Sequence, residues 1–442
     1  MRSVGNQSCM RIHRSSALLF VLMCLLHSAA GADTDVPKIA IYVAKDAHWR
    51  ADYELARPIS RLLFPRSPDT SRVEAWIPTH GFEIAATPEG EVLRRKDGRT
   101  FRVASVRVPP VYRMLPKDYA PFSPFGDGGI ALYTGRFFAC ADQCNGKDRW
   151  DLELRASKRS HIAVNGTRVI ERASWTDSGD GRVVYVGVNE PLETPELIAV
   201  IDKALPDSVR AQLLEQLPAF MRHFAAELGA LEERPMLFVS YDLSHAPGWG
   251  RQGGVLPGQI FIHFYGDHWR DAVKQPNFAN DLAWHFAHEA AHLYQQHKYA
   301  SQQRDWWIHE GAADAFAALA LRAMETNVRP FVETRIEQAR STCASQLGSR
   351  SLGETIESGA FDAAYTCGLL VNLAIDESVR NAGEPDGLYA VWREYLKLAR
   401  GAKPDASTYL DAIGRVAPPS VVEHTKKILN APGPQLLGLT EH

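Results

Sequence analysis

The chain has 442 residues, 45% of them hydrophobic and 23% charged, with a formal charge of −3 at pH 7. These are ordinary globular proportions, so a disordered or fibrous chain is excluded, and near-neutral charge leaves no electrostatic footprint for nucleic acid. At about 100–200 residues per domain, the length points to two or three domains, each large enough to bury a core.

Residues 1–32 read as a processed address. Arg2, Arg11 and Arg14 precede an apolar run over 17–26, and Ala30-Gly31-Ala32 closes the segment. A basic start, a short apolar stretch and an A-x-A site describe a secretory signal peptide. The run is shorter than the roughly 20 residues that cross a bilayer. The expectation is an exported chain, periplasmic or secreted, with no transmembrane segment once processed. Removing the segment would leave 410 residues and a formal charge of −6, because it carries three arginines and no acid. Four cysteines would remain: Cys140, Cys144, Cys343 and Cys367. An even count in an exported chain predicts disulfides. Cys140–Cys144 with Cys343–Cys367 is the most local of the three pairings. The rival is a four-cysteine zinc site, but paired C-x-x-C knuckles are missing.

From 33 to 192 the chain reads as short strands with turn punctuation, β-rich at 38–43, 101–108, 129–133, 151–154 and 182–188. Val164-Asn165-Gly166-Thr167 carries the Asn-Gly signal of a tight hairpin. This predicts a β-rich, sandwich-like domain without chemistry of its own. Helical periodicity begins after Pro195: Val209, Leu213, Leu217, Phe220, Phe224 and Leu228 recur at three- and four-residue steps, with a kink expected at Pro218. Strand-like stretches at 236–241 and 259–264 flank a glycine-rich loop. That loop contains Gly248-x-Gly250-x-x-Gly253, formally a dinucleotide fingerprint, but the next element, at 259–264, reads as a strand and not as a helix that would hold a pyrophosphate. The fingerprint is therefore rejected. Beyond residue 280 nearly everything reads helical, to about 429.

The informative segment is His288-Glu289-Ala290-Ala291-His292. Asn280 or Asp281 is placed to cap a helix running to about Lys298, with Leu282, Phe286, Ala290 and Leu293 as its apolar stripe. Residues four apart share a face, so His288 and His292 point together and can reach one zinc at about 2.0–2.1 Å. Glu289 is rotated about 100° from His288, where a base for water belongs. A catalytic zinc needs a third protein ligand. A histidine six residues after His292 is ruled out, because Lys298 stands there and Gln295 replaces the glycine such a turn requires. A glutamate on a second helix is supplied by Trp307-Ile308-His309-Glu310-Gly311-Ala312-Ala313-Asp314. His285 lies about 10 Å along the axis from His292, too far to join the same metal. It either lines the cleft or packs. His309 and His297 default to structural roles.

H-E-x-x-H followed at this distance by W-x-x-E-G-x-A resembles the gluzincin zinc metallopeptidases. The nearest likeness is to zinc aminopeptidases, in which a β-domain precedes a thermolysin-like catalytic domain. The resemblance covers about 200–400. It implies one catalytic Zn2+ held by His288, His292 and Glu310, with Glu289 as general base. Asp314, one turn after Glu310, would orient a ligand histidine. Tyr365-Thr366-Cys367-Gly368 is similar to the family's Y-x-x-G, so Tyr365 would donate to the oxyanion; otherwise it is a packed helix-start tyrosine. The implied fold is α+β: a β-rich domain at 33–192, a zincin catalytic domain at 193–330 with both zinc motifs, and an α-helical part at 331–442 completing the cleft.

One departure matters. The aminopeptidase branch carries a G-x-M-E-N strand whose glutamate grips the substrate's free amine. The stretch here, Gly253-Gly254-Val255-Leu256-Pro257-Gly258-Gln259, contains no acid. The expectation is thus an exported metallopeptidase hydrolysing peptide or protein substrates through a zinc-activated water, with aminopeptidase and endopeptidase readings both open. The alternative from another class is a zinc-stabilised, non-catalytic binding protein of the cell envelope. The sequence leaves the oligomeric state undetermined.

Overall fold

The computed structural model describes residues 36–44, 48–115, 118–296, 302–324 and 326–440. The segment read as a signal peptide, and His297 and Lys298, lie outside the described residues. Asp35–His442 form one compact unit.

The first half is mainly β, in sheets of six, four and five strands. Side chains alternate between the faces of a strand. In Trp49–Ile59 this buries Trp49, Ala51, Tyr53 and Leu55 and leaves Arg50, Asp52 and Glu54 more open. That strand pairs with Lys38–Val43 on one side and Phe101–Val108 on the other. Val164 pairs with Thr167, and Asn165 and Gly166 both have positive φ, so the Asn-Gly pair makes a two-residue hairpin turn. Cys140 and Cys144 are bridged. The fully buried Arg72 is paired with Glu91 at 2.6 Å and donates to the Arg136 carbonyl at 2.8 Å. A buried charge is tolerated only with such partners.

The second half begins with β1 (Ile198–Ile201), β2 (Met236–Asp242), β3 (Trp249–Leu256) and β4 (Gln259–Gly266). β1, β2 and β4 run parallel, and β3 lies antiparallel to β4 at the edge of the sheet. The glycine-rich segment read as a loop is therefore a strand, because its backbone finds a full ladder on β4. The Gly248-x-Gly250-x-x-Gly253 pattern runs into that strand and opens no helix.

Helix α1 (Asp207–Leu228) follows β1 and continues through Pro218, burying Val209, Leu213, Leu217, Phe220, Phe224 and Leu228. Then come α2 (Phe278–Gln295), α3 (His309–Met324), α4 (Arg329–Leu347) and α5 (Asp362–Asn381), with further helices to Leu439. α2 starts at Phe278, a little earlier than its capping signal suggested, after a left-handed Asn277. Its Leu282, Phe286, Ala290 and Leu293 join one core with the apolar faces of α1 and α3.

The two halves are joined by a separate apolar cluster, in which Tyr133 and Tyr185 meet Val200, Phe238 and Phe261. Buried polar contacts add direction. The Gln259 side chain accepts from the Val183 N–H at 2.8 Å and donates to the Val183 carbonyl at 3.0 Å. The Asp202 carboxylate takes the N–H groups of Gly126 and Tyr241.

α3 and α5 touch backbone to backbone at Gly311 and Gly368. A Cβ on Gly311 would lie 2.4 Å from the Gly368 carbonyl carbon. Asn372 of α5 seals this contact by donating to the carbonyls of Trp307 and Gly368. The Cys343–Cys367 disulfide ties α5 to α4. Since neither backbone can yield, Gly311→Ala is expected to destabilise the fold by about 1–3 kcal/mol. Urea unfolding read by circular dichroism checks this, and a variant as stable as wild type would refute the close-packing argument.

Candidate active site

The site is built where α2, α3 and α5 meet beneath the edge strand β3. Four-residue spacing on α2 brings His288 Nε2 and His292 Nε2 to 3.0 Å from each other. Glu310 stands in the first turn of α3, with Oε2 3.2 Å from His292 Nε2 and 3.5 Å from His288 Nε2. Ligand atoms at about 2.0–2.1 Å around a tetrahedral zinc would be about 3.4 Å apart. The three observed separations bracket that value, and the three atoms form one of two candidate metal clusters among the described residues. The other, Cys140 with Cys144 and Asp148, has its sulfurs committed to a disulfide. The residues of the first cluster fit the ion that the sequence implied.

Both imidazoles are held from behind. His288 Nδ1 lies 2.9 Å from Asp314 Oδ1, which also accepts from Trp284 Nε1 at 2.8 Å. His292 Nδ1 lies 2.6 Å from Gln295 Oε1, and the Gln295 amide donates to the His309 carbonyl at 2.9 Å. With each Nδ1 engaged by an acceptor, the two Nε2 atoms are turned towards each other and Glu310. Sequence reasoning missed Gln295, seeing there only the absence of a glycine. The signal that could have found it was its spacing, three residues after His292 on the same helix. His309 itself packs against Trp392 and Tyr395.

Glu289, His288 and Glu310 are all buried, which sets the electrostatics. Burial opposes charge on His288, but the Asp314 carboxylate outweighs it and holds the imidazole well above its ordinary value. Burial likewise pushes Glu310 upward, and His292 with His288 reverses this, holding it below the usual carboxylate range. Glu289 is raised by burial, reinforced by Glu310 and Asp314 against the pull of the imidazoles. Three carboxylates and two imidazoles in one buried place attract positive charge.

Glu289 is also positioned from the strand side. A Cβ on Gly253 of β3 would lie 2.3 Å from Glu289 Oε1 and 2.7 Å from His285 Cε1. Only a residue without a side chain lets the strand approach the base this closely. His285 Nδ1 is 3.7 Å from Glu289 Oε1, so this histidine lines the cleft and stays off the metal cluster. The Tyr365 ring stacks over His288 with centroids 5.9 Å apart, and the residue is 38% exposed. Burial of its hydroxyl, with Glu310 and Glu289 nearby, pushes its pKa up, so it stays a donor. The cleft in front of these groups encloses about 1290 Å³, open mouth included. A Ser240–His263–Asp242 grouping also exists, with Ser240 Oγ 2.7 Å from His263 Nδ1. Ser240 on β2 and His263 on β4 are each only 2% exposed, out of a substrate's reach.

If Asp314 and Gln295 orient the ligand imidazoles, Asp314→Asn and Gln295→Ala should each weaken zinc binding by about 10–100-fold. Competition against a chromophoric chelator measures this. Unchanged affinity in both variants would remove them from the metal site.

No family model and no curated protein matches the chain. Among solved structures it is similar to an M1 zinc metallopeptidase from Deinococcus radiodurans, at 16% identity and TM-score 0.52, over 90% of this chain and 94% of that one. A two-domain M1 zinc metallopeptidase bound to L-arginine aligns at 16% identity and TM-score 0.53, over 90% of this chain and 95% of that one. An aminopeptidase N family protein from Idiomarina loihiensis aligns at 12% identity and TM-score 0.58, over 85% and 73%. The likeness is one of fold: this chain has the architecture of the M1 zinc metallopeptidases, a β-rich part followed by a zincin-type sheet and helices.

Proposed function

We propose that the chain is a zinc-dependent peptidase, exported by its N-terminal signal segment, that hydrolyses peptide bonds with Glu289 as general base. The observation that carries this reading is the convergence of His288 Nε2, His292 Nε2 and Glu310 Oε2 into one cluster, with Glu289 beside it at the cleft. Zinc bound by these three residues supplies the Lewis acidity that lowers the pKa of water and polarises a carbonyl. Asp314 and Gln295 keep the two imidazoles in the ligating tautomer. Glu289 takes a proton from the attacking water and passes it to the departing amine. Its burial favours this, because a raised affinity for protons is what a carboxylate base needs. Tyr365, above His288 at the mouth, donates its hydroxyl hydrogen to the oxyanion. Export is supported by the basic, apolar and A-x-A sequence at 1–32, and by two disulfides.

Peptides are the favoured substrates. The M1 enzyme from Deinococcus radiodurans has been crystallised with a Tyr-Ser-Ala substrate. Among the described residues β3 pairs only with β4, which leaves its outer backbone groups able to take an extended peptide as a further strand. β3 has no acid to anchor a free amine, so the reading is of a peptidase that does not depend on the substrate's N-terminus. A non-catalytic, zinc-stabilised envelope protein would have no use for a buried base beside the ligands.

Mass spectrometry of a peptide library, with free and acetylated N-termini, tests the proposal. Wild type should cut both sets and hold one zinc. Glu289→Gln should keep the zinc and lose about 10²–10⁴ of the rate. Hydrolysis unchanged in that variant, or protein purified without stoichiometric zinc, would refute the mechanism. Cleavage confined to free N-termini would make the enzyme an aminopeptidase. Tyr365→Phe should lower kcat by about 10²–10³ with little change in KM; an unaffected kcat assigns Tyr365 to packing.

A further inference from the structure

Two arginines and a histidine gather at the strand end of the cleft. Arg251 lies on β3, on the same face as Gly253 because side chains alternate. Arg335 reaches the cleft from α4, and both arginines line it together with His285. Both guanidinium groups converge on Asp281. Arg335 Nη1 donates to Asp281 Oδ1 at 3.0 Å, and the guanidinium carbon Cζ lies over the Trp284 ring, 4.6 Å from its centroid. Arg251 Nη2 instead donates to the Asp281 carbonyl at 3.2 Å. The Asp281 carboxylate is thus hydrogen-bonded to Arg335, and Arg251 has no side-chain hydrogen bond to it. His285 adds a buried Nε2 with no hydrogen-bond partner. Of the remaining acids of the cleft, Glu289 stands against Gly253 and also attracts Arg251, while Asp314 is engaged by His288 and Asp362 lies on α5, one turn before Tyr365.

Strand geometry fixes the position of this positive end along a substrate. Gly253 marks where β3 passes the base, and Arg251 is two residues away, about 7 Å along the strand. A peptide laid along β3 with its scissile bond over the metal cluster therefore brings a neighbouring residue to Arg251. We infer that Arg251, with Arg335 and His285 beside it, forms a subsite for a carboxylate, so that the enzyme selects peptides with Asp or Glu close to the scissile bond. The subsite rests on the reading of this cleft as a peptide-binding site. It also gives the missing acid of β3 a physical sense, because a cationic end repels a substrate ammonium and receives an anion.

Acetylated peptides with a single Glu moved along an otherwise neutral sequence, each with its Gln twin, isolate the charge from size and shape. Wild type should show, at one position near the cut, a kcat/KM about tenfold or more in favour of Glu. Arg251→Gln should collapse that ratio towards one, Arg251→Lys should retain part of it, and Arg251→Glu should favour a Lys peptide. Calorimetry of the same Glu and Gln peptides on zinc-loaded Glu289→Gln protein gives a readout independent of turnover. Tighter binding of the Glu peptide, lost on adding Arg251→Gln, supports the subsite even if no peptide is hydrolysed; in that case it is the peptidase reading that fails. Equal affinity and equal turnover for the twins at every position would overturn the subsite, and would do so even with the peptidase activity intact. If Arg251→Gln does not fold, the wild-type twin ratio and its decline with added salt decide the question.

Discussion

Three carboxylates and two imidazoles share one buried place at the junction of α2, α3 and α5, and the chain around them is arranged to keep that charge together. Burying a charge is costly unless it is paired, and each group here offsets another. His288 is held by Asp314, Glu310 lies against both imidazoles, and Glu289 is left to carry the strain of burial. The group left least compensated is the one assigned to proton transfer. Such a separation among like groups, set by surroundings alone, is what the proposed division into a ligand carboxylate and a base requires.

Rigid packing makes the arrangement hold. Glu310 and Tyr365 come from different helices, and the distance between those helices is fixed where Gly311 meets Gly368 with no side chain between. Asn372 and the Cys343–Cys367 bridge lock the same contact from two sides. Across the cleft, Gly253 brings β3 against Glu289. The β-rich half steadies that sheet from behind through Gln259 and Asp202. The β-rich half therefore bears on the candidate site mechanically, through the sheet that carries β3.

The two sides of the cleft differ in character. On the helix side, α3 and α5 bring acids and the tyrosine hydroxyl. On the strand side, β3 and α4 bring arginines. The fold shared with M1 metallopeptidases thus surrounds a cleft with acids on one side and arginines on the other.

The sequence by itself determined whatever depends on spacing along one helix or one turn. His288 and His292 are four apart, so they share a face; Asn165-Gly166 permits the positive φ values of a hairpin; the period of Val209 to Leu228 requires a helix. Glu310 and Asp314 were legible because they, too, lie one turn apart within a recognisable motif. Tertiary structure decided what depends on backbone partners and on residues far apart in the chain. The glycine-rich 248–256 stretch looks like a loop until β4 offers it a ladder. Gln295 looks like a missing glycine until the His309 carbonyl orients its amide towards His292. Arg251 and Arg335 are 84 positions apart and meet only at Asp281. Local periodicity is written in consecutive residues, whereas charge pairing and strand pairing are fixed by which segments the folded core brings within a few ångströms.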